Sequence, residues 1–225
     1  MSHAKIVAIT QPLVAGITTA DEFIAYAARV SNPSNQMSAD TAPKLIRYCA
    51  RNKHWSVFET VNIVVEIETT RDIGRQILRH RSFSFQEFSQ RYSDPTQDLG
   101  FEFREARLQD QKNRQNSISV EDDELQGVWK NRQQELLKQA VNTYEWAIEK
   151  GIAKEQARAV LPEGMTKSRM YVNGTLRSWI HYCDLRMKPG TQKEHRDIAT
   201  EIWGLILEKF PSLSELNKDQ ENAHA

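Results

Sequence analysis

One alternating strand constrains the fold of this chain more than any other stretch. From Val61 to Glu68, apolar and polar residues alternate, so that Val61, Ile63, Val65 and Ile67 face one way. A period of two over this length is typical of a β-strand with one buried face. The protein therefore contains a sheet that needs apolar partners on that face.

Helical patterns surround this strand. They predict helices near 21–30, 42–51, 70–78, 124–150, 175–186 and 191–210, with further strands at 5–10 and 166–175. We expect an α+β fold, a single domain over residues 1–225 with a mainly antiparallel sheet flanked by helices and long helices in the C-terminal half. Residues 108–123 are predicted to form an exposed loop, and about 217–225 a frayed tail.

The helix predicted at 124–150 has an apolar stripe. Residues repeated at helical spacing predict one buried face. The positions expected to be buried are Leu125, Val128, Trp129, Leu136, Leu137, Ala140, Val141, Tyr144 and Ile148.

Composition excludes several classes of protein. Thirty basic and thirty acidic residues cancel, so no overall field attracts nucleic acid or a membrane surface. No apolar run approaches the roughly 20 residues of a membrane span, and the N-terminus has no signal-peptide pattern. Cys49 and Cys183 have no paired spacing, which suits a reducing compartment. We expect a cytoplasmic protein with no membrane and no nucleic-acid partner.

Residues 79–92, here called the basic aromatic segment, have the highest density of chemically active side chains. They include three arginines, a histidine, a glutamate, three serines and two glutamines. Such groups cannot be buried without partners, and arginine forks bind phosphate or carboxylate oxygens. The interleaved Phe83, Phe85, Phe88 and Tyr92 indicate a site for a flat ring. The segment predicts an anion site, with phosphate as the expected ligand, and a solvated basic loop is the alternative.

Other candidate residues lie on nearby elements. His54 and Ser56 stand at the entry to the alternating strand, where a satisfied turn is the alternative. Gln76 and Arg79 are three apart on a helix and so are neighbours on its surface. Arg158 lies in a short helix and could instead pair with Glu155.

The helix at 175–186 has two polar faces. Arg177, His181 and Asp184 lie beside each other by their spacing, while Arg186 lies at the C-terminal end on another face. A surface helix with salt bridges is the alternative.

Three segments resemble the flavin-dependent thymidylate synthases. Arg79-His80-Arg81, then seven residues, then Ser89 is similar to their signature, as is the following Gln90-Arg91-Tyr92. The segment 155–162, Glu-Gln-Ala-Arg-Ala-Val-Leu-Pro, and the spacing from Arg177 through His181 to Arg186 resemble two further family segments. Many relatives have asparagine where His181 stands. With a histidine-containing segment that ends in Phe58-Glu59, the resemblance runs from His54 to Arg186.

The resemblance implies an enzyme, a methyltransferase that converts dUMP to dTMP. Methylenetetrahydrofolate would supply the carbon, FAD would carry the hydride and NADPH would reduce the flavin. The resemblance also implies a homotetramer with flavin sites shared between subunits.

The resemblance further implies which residues contact each ligand. The residues expected to bind dUMP are Gln76, Arg79, Glu87, Phe88, Ser89, Gln90, Arg91, Arg158 and Arg186. Those expected to bind FAD are His54, Ser56, Arg79, His80, Arg81, Gln86, Glu87, Thr175, Leu176, Arg177 and His181. Because the chain has no Gly-x-Gly-x-x-Gly turn, the FAD phosphates must meet side chains, and residues 79–81 are the expected donors.

The expected chemistry needs no cysteine nucleophile. Both cysteines lie on apolar helix faces, where a thiolate is disfavoured. A cation near the uracil ring can stabilise the charge that develops there, and Arg186 is the predicted catalytic residue. Ser89 is an alternative nucleophile, but it needs an adjacent base, so we favour it as a substrate-binding residue.

Two other functions compete with this one. A nucleic-acid-binding module could use the basic aromatic segment to stack bases, but it does not account for residues 155–162. A metalloenzyme is disfavoured because the six histidines show no short ligand spacing.

Overall fold

A computed structural model describes residues 2–216 of the chain. The strands are β1 His3–Ile9, β2 Asn62–Thr70, β3 Ser84–Glu87, β4 Arg107–Gln109, β5 Ser117–Ser119 and β6 Lys167–Thr175. Four of them form an antiparallel sheet in the order β1-β2-β6-β3, and β4 pairs with β5 in a separate hairpin. The tail predicted at 217–225 lies outside the described residues.

Eight α-helices are found in residues 2–216. They are α1 Ala20–Ala28, α2 Ala42–Arg51, α3 Arg71–Ile77, α4 Pro95–Asp98, α5 Asp123–Glu149, α6 Lys154–Ala157, α7 Leu176–Arg186 and α8 Lys193–Lys209. Short 3-10 turns occupy Pro33–Asn35, Trp55–Thr60, Arg158–Val160 and Pro211–Leu213. The predicted α+β fold, with its antiparallel sheet and flanking helices, is confirmed. Over the same residues, no helix has the length and apolar character needed to cross a membrane.

The alternating strand behaves as its pattern predicted. The four residues expected to face inward are fully buried: Val61, Ile63, Val65 and Ile67. The opposite face has cross-strand ion pairs such as Lys5 Nζ to Glu66 Oε1 at 2.9 Å. Opposite charges placed across a strand pair stabilise its register, so β2 buries one face and keeps a charged second face.

Two helices begin directly at strand ends. Thr70 precedes α3, and Thr175 precedes α7, where its Oγ1 accepts a hydrogen bond from the backbone N–H of Ser178 (3.2 Å). Because Asn62 pairs with Thr175 and Thr70 with Lys167, these helices begin at opposite ends of the sheet. Both contact α8. The region where α3, α7 and α8 meet contains the candidate site.

The core lies between the sheet and helices that include α1, α2, α7 and α8. Trp179 and Tyr182 of α7 are among its largest buried side chains, and Trp179 Nε1 donates to the Ile63 carbonyl (3.2 Å). Phe83 packs where β6 has Gly174. A Cβ at this glycine would lie 2.2 Å from the Phe83 ring, so the absence of a side chain allows the close approach.

The predicted buried stripe of α5 is wrong in its N-terminal half. Ala140 and Tyr144 are buried. Four of the other predicted positions are exposed: Leu125 (36%), Val128 (51%), Trp129 (42%) and Leu136 (56%). In this half, Gln133 contacts the body of the protein, since its amide accepts from Arg104 N (2.8 Å) and donates to Arg104 O (2.9 Å). An amide contact of this kind covers little apolar surface.

The exposed loop predicted at 108–123 is also wrong in part. A short hairpin forms there, with Leu108 opposite Ile118, although both side chains are about half exposed. Asp110 closes the turn because its Oδ1 accepts from the backbone N–H groups of Lys112 (2.8 Å) and Asn113 (3.1 Å). Three-residue strands are too short to show an apolar period in the sequence.

Candidate active site

The turn between α3 and β3 contains the first half of the basic aromatic segment. Backbone hydrogen bonds from His80 N to Ile77 O (3.0 Å) and from Phe83 N to His80 O (3.2 Å) close two consecutive turns. Arg79 and Arg81 are exposed on either side of His80. In residues 2–216, neither guanidinium has a hydrogen bond or an ion pair. Unpaired guanidinium groups are suited to phosphate oxygens.

Arg186, the predicted catalytic residue, is oriented by His80. Its Nε donates to His80 Nε2 at 2.9 Å. Burial, followed by the charge of Arg186, lowers the pKa of His80 to about 4, so the imidazole is neutral near pH 7 and its Nε2 accepts. Within the described residues, neither Nη nitrogen of Arg186 has a partner. Two donors of one planar fork are thus available to a ligand.

This geometry bears on the predicted role of His80 in FAD binding. A neutral imidazole donates from one nitrogen only, and Nε2 is the acceptor for Arg186. A ligand of His80 would therefore meet Nδ1–H. The flavin contact of His80 stays a prediction.

His195 lies next to this pair and was not among the predicted site residues. It is fully buried, with Nδ1 3.1 Å from Gln76 Oε1 and Nε2 3.0 Å from the Tyr182 hydroxyl. Because an amide oxygen only accepts, Nδ1 has the proton and Nε2 accepts from the hydroxyl. Burial is the main cause that lowers the pKa of His195 to about 3, with further contributions from Arg186 and His80. His195 is therefore neutral near pH 7.

The amide of Gln76 is held from both ends. Its oxygen accepts from His195, and its Nε2 donates to Gln192 Oε1 (2.8 Å). Gln192 in turn donates to Glu194 Oε2 (3.0 Å).

The sequence had one signal for His195, since it precedes buried Ile198 by three residues on the apolar stripe of α8. A histidine at such a position needs a polar partner.

A second group of predicted flavin residues lies where α7 meets the 3-10 turn Trp55–Thr60. Arg177 Nη1 forms an ion pair with Glu59. The His181 and Trp55 rings pack edge-on, with their centroids 4.7 Å apart. Burial, then the charge of Arg177, lowers the pKa of His181. Arg177 Nε is buried and has no partner within residues 2–216. A buried donor of this kind is a candidate for a ligand contact.

The other predicted flavin residues near α7 differ in exposure. His54 and Ser56 are exposed, and Thr175 caps α7. The Leu176 side chain is fully buried in the core. Gln86 is exposed on β3, away from this group in the chain. The ligand contacts of these residues stay predictions.

The second half of the basic aromatic segment follows β3. Glu87 Oε1 accepts from Ser168 Oγ (2.8 Å) and lies 3.7 Å from Arg71 Nη1. The backbone N–H of Phe88 donates to Arg169 O (2.8 Å). These contacts anchor the start of the segment 88–92 to the sheet.

The segment 88–92 lies against α6. Arg91 Nε is 3.5 Å from Glu155 Oε2, so Glu155 pairs with Arg91 rather than with Arg158. Arg158 is half-buried and has no ion pair in the described part of the chain. Gln90 is only 3% exposed and its Nε2 has no partner there. Arg158 and Gln90 therefore offer unpaired donors at this end of the sheet.

Strand β3 separates the two halves of the basic aromatic segment. Ser84 pairs with Asn173 and Glu87 with Met170, and four strand residues span roughly 13 Å. Across residues 2–216, no hydrogen bond or ion pair joins 88–92 to 79–81. The predicted dUMP residues thus form two groups, one with Gln76, Arg79 and Arg186 and one from residue 87 to 91 with Arg158.

The aromatic side chains of the segment do not form one exposed platform. Phe83 is buried against Trp179, with ring centroids 4.4 Å apart. Phe85 and Phe88 are half-buried, and Tyr92 is 81% exposed. The interpretation that all four serve a flat ligand is wrong for Phe83, because packing on a glycine places that ring in the core.

Both cysteines are buried and unpaired. Burial raises the pKa of the Cys49 thiol, and it raises that of Cys183 much further. Over the described range, no group of three or more histidine, cysteine, aspartate or glutamate side chains could hold a metal ion.

Comparison with known proteins identifies relatives over nearly the whole chain. The model of the family described as thymidylate synthase complementing protein matches residues 12–212. A probable flavin-dependent thymidylate synthase of Paramecium bursaria Chlorella virus 1 is 48% identical over 212 residues, which cover 94% of this chain and 97% of that protein. A flavin-dependent thymidylate synthase of Synechocystis sp. is 48% identical over 191 residues, covering 85% and 86%.

A solved structure shares the fold. The UMP/dUMP methylase PolB from Streptomyces cacaoi, crystallised with 5-Br dUMP, superposes with a TM-score of 0.77. The match covers 96% of this chain and 93% of PolB at 24% sequence identity. At that identity the likeness concerns the fold alone.

Proposed function

Because the chain belongs to the flavin-dependent thymidylate synthase family, we propose that it methylates dUMP to dTMP. Methylenetetrahydrofolate supplies the carbon in this proposal, FAD is the flavin, and NADPH is the reductant. The unpaired, buried cysteines suit a reducing compartment, and a cytoplasmic location is part of the proposal.

The residues of this chain fit a flavin dinucleotide. Arg79 and Arg81 present unpaired guanidinium groups that suit its phosphates, and the buried Nε of Arg177 is a donor without a partner. When bound, the flavin supplies the hydride that reduces the transferred carbon. The chain's own residues hold the phosphates and orient the ring system.

The observation that carries the proposal is the contact between Arg186 and His80. The neutral imidazole accepts from Nε, so the guanidinium is held at that edge, while neither Nη group has a partner within the described residues. A fixed cation beside the uracil carbonyls stabilises the negative charge that develops when carbon 5 becomes nucleophilic. Arginine keeps its charge at any ordinary pH.

The geometry favours this electrostatic activation over a covalent nucleophile. Cys183 is fully buried and its thiol pKa is raised, so a thiolate is disfavoured. Ser89 Oγ accepts from the backbone N–H of Arg91 (3.3 Å), and in residues 2–216 no histidine is hydrogen-bonded to it. Ser89 therefore suits substrate binding.

The reaction is tested by assaying dTMP formation from dUMP, methylenetetrahydrofolate, FAD and NADPH. Arg186→Ala should lower the rate by about a hundredfold or more, while flavin content and flavin reduction by NADPH stay near those of the wild type. Normal dTMP formation in this variant would reject the role of Arg186. Absence of both flavin binding and turnover in the wild type would reject the proposed function.

A homotetramer with shared sites is also part of the proposal. The two groups of predicted dUMP residues lie at opposite ends of β3, and α5 exposes Leu125, Val128, Trp129 and Leu136. An exposed apolar stripe of this kind supports packing between subunits. If one site uses Arg186 of one subunit and Arg158 of another, mixing and refolding Arg186→Ala with Arg158→Ala should restore roughly a quarter of the sites. No recovery in mixed oligomers would contradict sharing.

A further inference from the structure

A polar cavity lies between the β4–β5 hairpin and the start of α8. Its volume is about 370 Å³, near the lower end of the roughly 300–1,000 Å³ of small-molecule sites. The cavity, here called the basic pocket, is lined by Arg107, Arg114, Lys193 and Arg196 together with the hydroxyl groups of Ser117 and Thr191. Among the described residues, no carboxylate lines it. Its lining therefore offers cations and hydrogen-bond donors.

Arg107 forms the inner wall of the basic pocket. Its Nη2 donates to Glu194 Oε1 at 2.6 Å, and only 11% of the side chain is exposed. Its Nη1 is buried and has no partner within residues 2–216. An unpaired buried donor is unfavourable, so this guanidinium keeps unused hydrogen-bonding capacity beside the pocket. The Glu194 contact meanwhile holds the guanidinium in place.

Two further arginines in the pocket are not neutralised by carboxylates. In the described part of the chain, Arg114 has no ion pair, and the guanidinium of Arg196 donates only to the carbonyl of Pro189 (Nη1 to O, 3.4 Å). Lys193 differs, because its Nζ is 2.9 Å from Asp197. Arg114 and Arg196 thus give the pocket its net positive charge.

The basic pocket adjoins the candidate active site. Gln192 lines the pocket and accepts a hydrogen bond from Gln76 Nε2 at 2.8 Å. Gln76 belongs to the group with Arg186 through His195 and His80. A ligand that spans from the active site past Gln192 would place its far end in the pocket.

We propose that the basic pocket binds an oxyanion at the far end of a co-substrate, with Arg107, Arg114 and Arg196 as its ligands. The inference rests on the proposed function, in which two co-substrates have such a group. NADPH has phosphates, and the folate has glutamate carboxylates. Arginine forks pair with both kinds of oxyanion.

The test compares the double variant Arg114→Gln/Arg196→Gln with the wild type. Lys112→Gln is the matched control, since Lys112 is on the same hairpin and does not line the pocket. The KM of one co-substrate should rise about tenfold or more, as expected for lost charge-assisted hydrogen bonds, while kcat changes less than about twofold. A rise for NADPH but not for NADH identifies the 2′-phosphate. A rise for the triglutamyl but not the monoglutamyl folate identifies the carboxylates.

Equilibrium binding separates this inference from the proposed function. Adenosine 2′,5′-bisphosphate and pteroyltriglutamate are titrated into each protein calorimetrically, which requires no turnover. Weaker binding of either probe to the double variant supports the pocket even if the wild type forms no dTMP, a result that would reject only the proposed function. Kd and KM values within about twofold of the wild type, or no binding of either probe to the wild type, would overturn the pocket.

Discussion

The contact between His80 and Arg186 can be removed without emptying the space that the imidazole occupies. In His80→Phe, a ring still lies beside Tyr182, whose centroid is 4.9 Å from that of His80. The variant loses the acceptor for Arg186 Nε, which is 2.9 Å from His80 Nε2 in the native protein, together with the donor at Nδ1. Arg186 then keeps its charge but not its orientation.

The expected cost follows from the type of hydrogen bond. A hydrogen bond to a charged group contributes about 1.5–3 kcal/mol. If this energy orients the guanidinium in the transition state, kcat falls about 10- to 100-fold, since a tenfold change corresponds to about 1.4 kcal/mol. His80→Gln keeps an acceptor oxygen for Arg186 Nε, so its kcat should fall less than that of His80→Phe.

Three measurements on the same preparations separate orientation from cofactor binding. Flavin absorbance gives the occupancy per chain, bleaching by NADPH gives flavin reduction, and single-turnover dTMP formation gives the methylation steps. We expect occupancy and reduction to stay near wild type and the methylation rate per bound flavin to fall. An unchanged rate per bound flavin would refute orientation by His80, and a fall in occupancy would instead support its predicted flavin contact.

Three more predictions concern the core and its titration. Cys183→Ala should keep its dTMP formation, because the thiol is fully buried with a raised pKa; loss of turnover in folded, flavin-loaded protein would contradict this. Gly174→Ala should lower the free energy of unfolding in urea by about 1–3 kcal/mol or more, since its Cβ would lie 2.2 Å from a buried ring. Gly127→Ala on α5, where the added Cβ would meet no other part of the protein within 4 Å, should raise the free energy of unfolding by about 0.5–1 kcal/mol; equal changes in the two variants would refute the packing argument. The free energy of unfolding should fall by about 2–3 kcal/mol from about pH 7.5 to 5.5, because unfolded histidines titrate near 6.5 while burial lowers the pKa of His80 to about 4 and of His195 to about 3. The unfolded chain therefore binds protons first as the pH falls, and a pH dependence unchanged in His195→Gln would contradict the assignment.

The sequence by itself determined the elements whose signals are local. The period of two around β2 predicted its buried face, and the helix expected at 42–51 is α2, Ala42–Arg51. The helix predicted from Thr175 to Arg186 is α7, with Thr175 as its cap. Side-chain period and capping depend on residues a few positions apart, so they can be read before the chain is folded. The family segments are likewise contiguous patterns.

Only the tertiary structure decided which side chains meet. His80 and Arg186 are 106 residues apart, and Gln76 and His195 are 119 apart. Their contacts depend on how α3, α7 and α8 pack on the sheet. The same holds for Phe83, which is buried because β6 lacks a side chain at residue 174. Hydrogen bonds act over about 3 Å, so a residue's partner is set by the packing of distant elements, which no local pattern encodes.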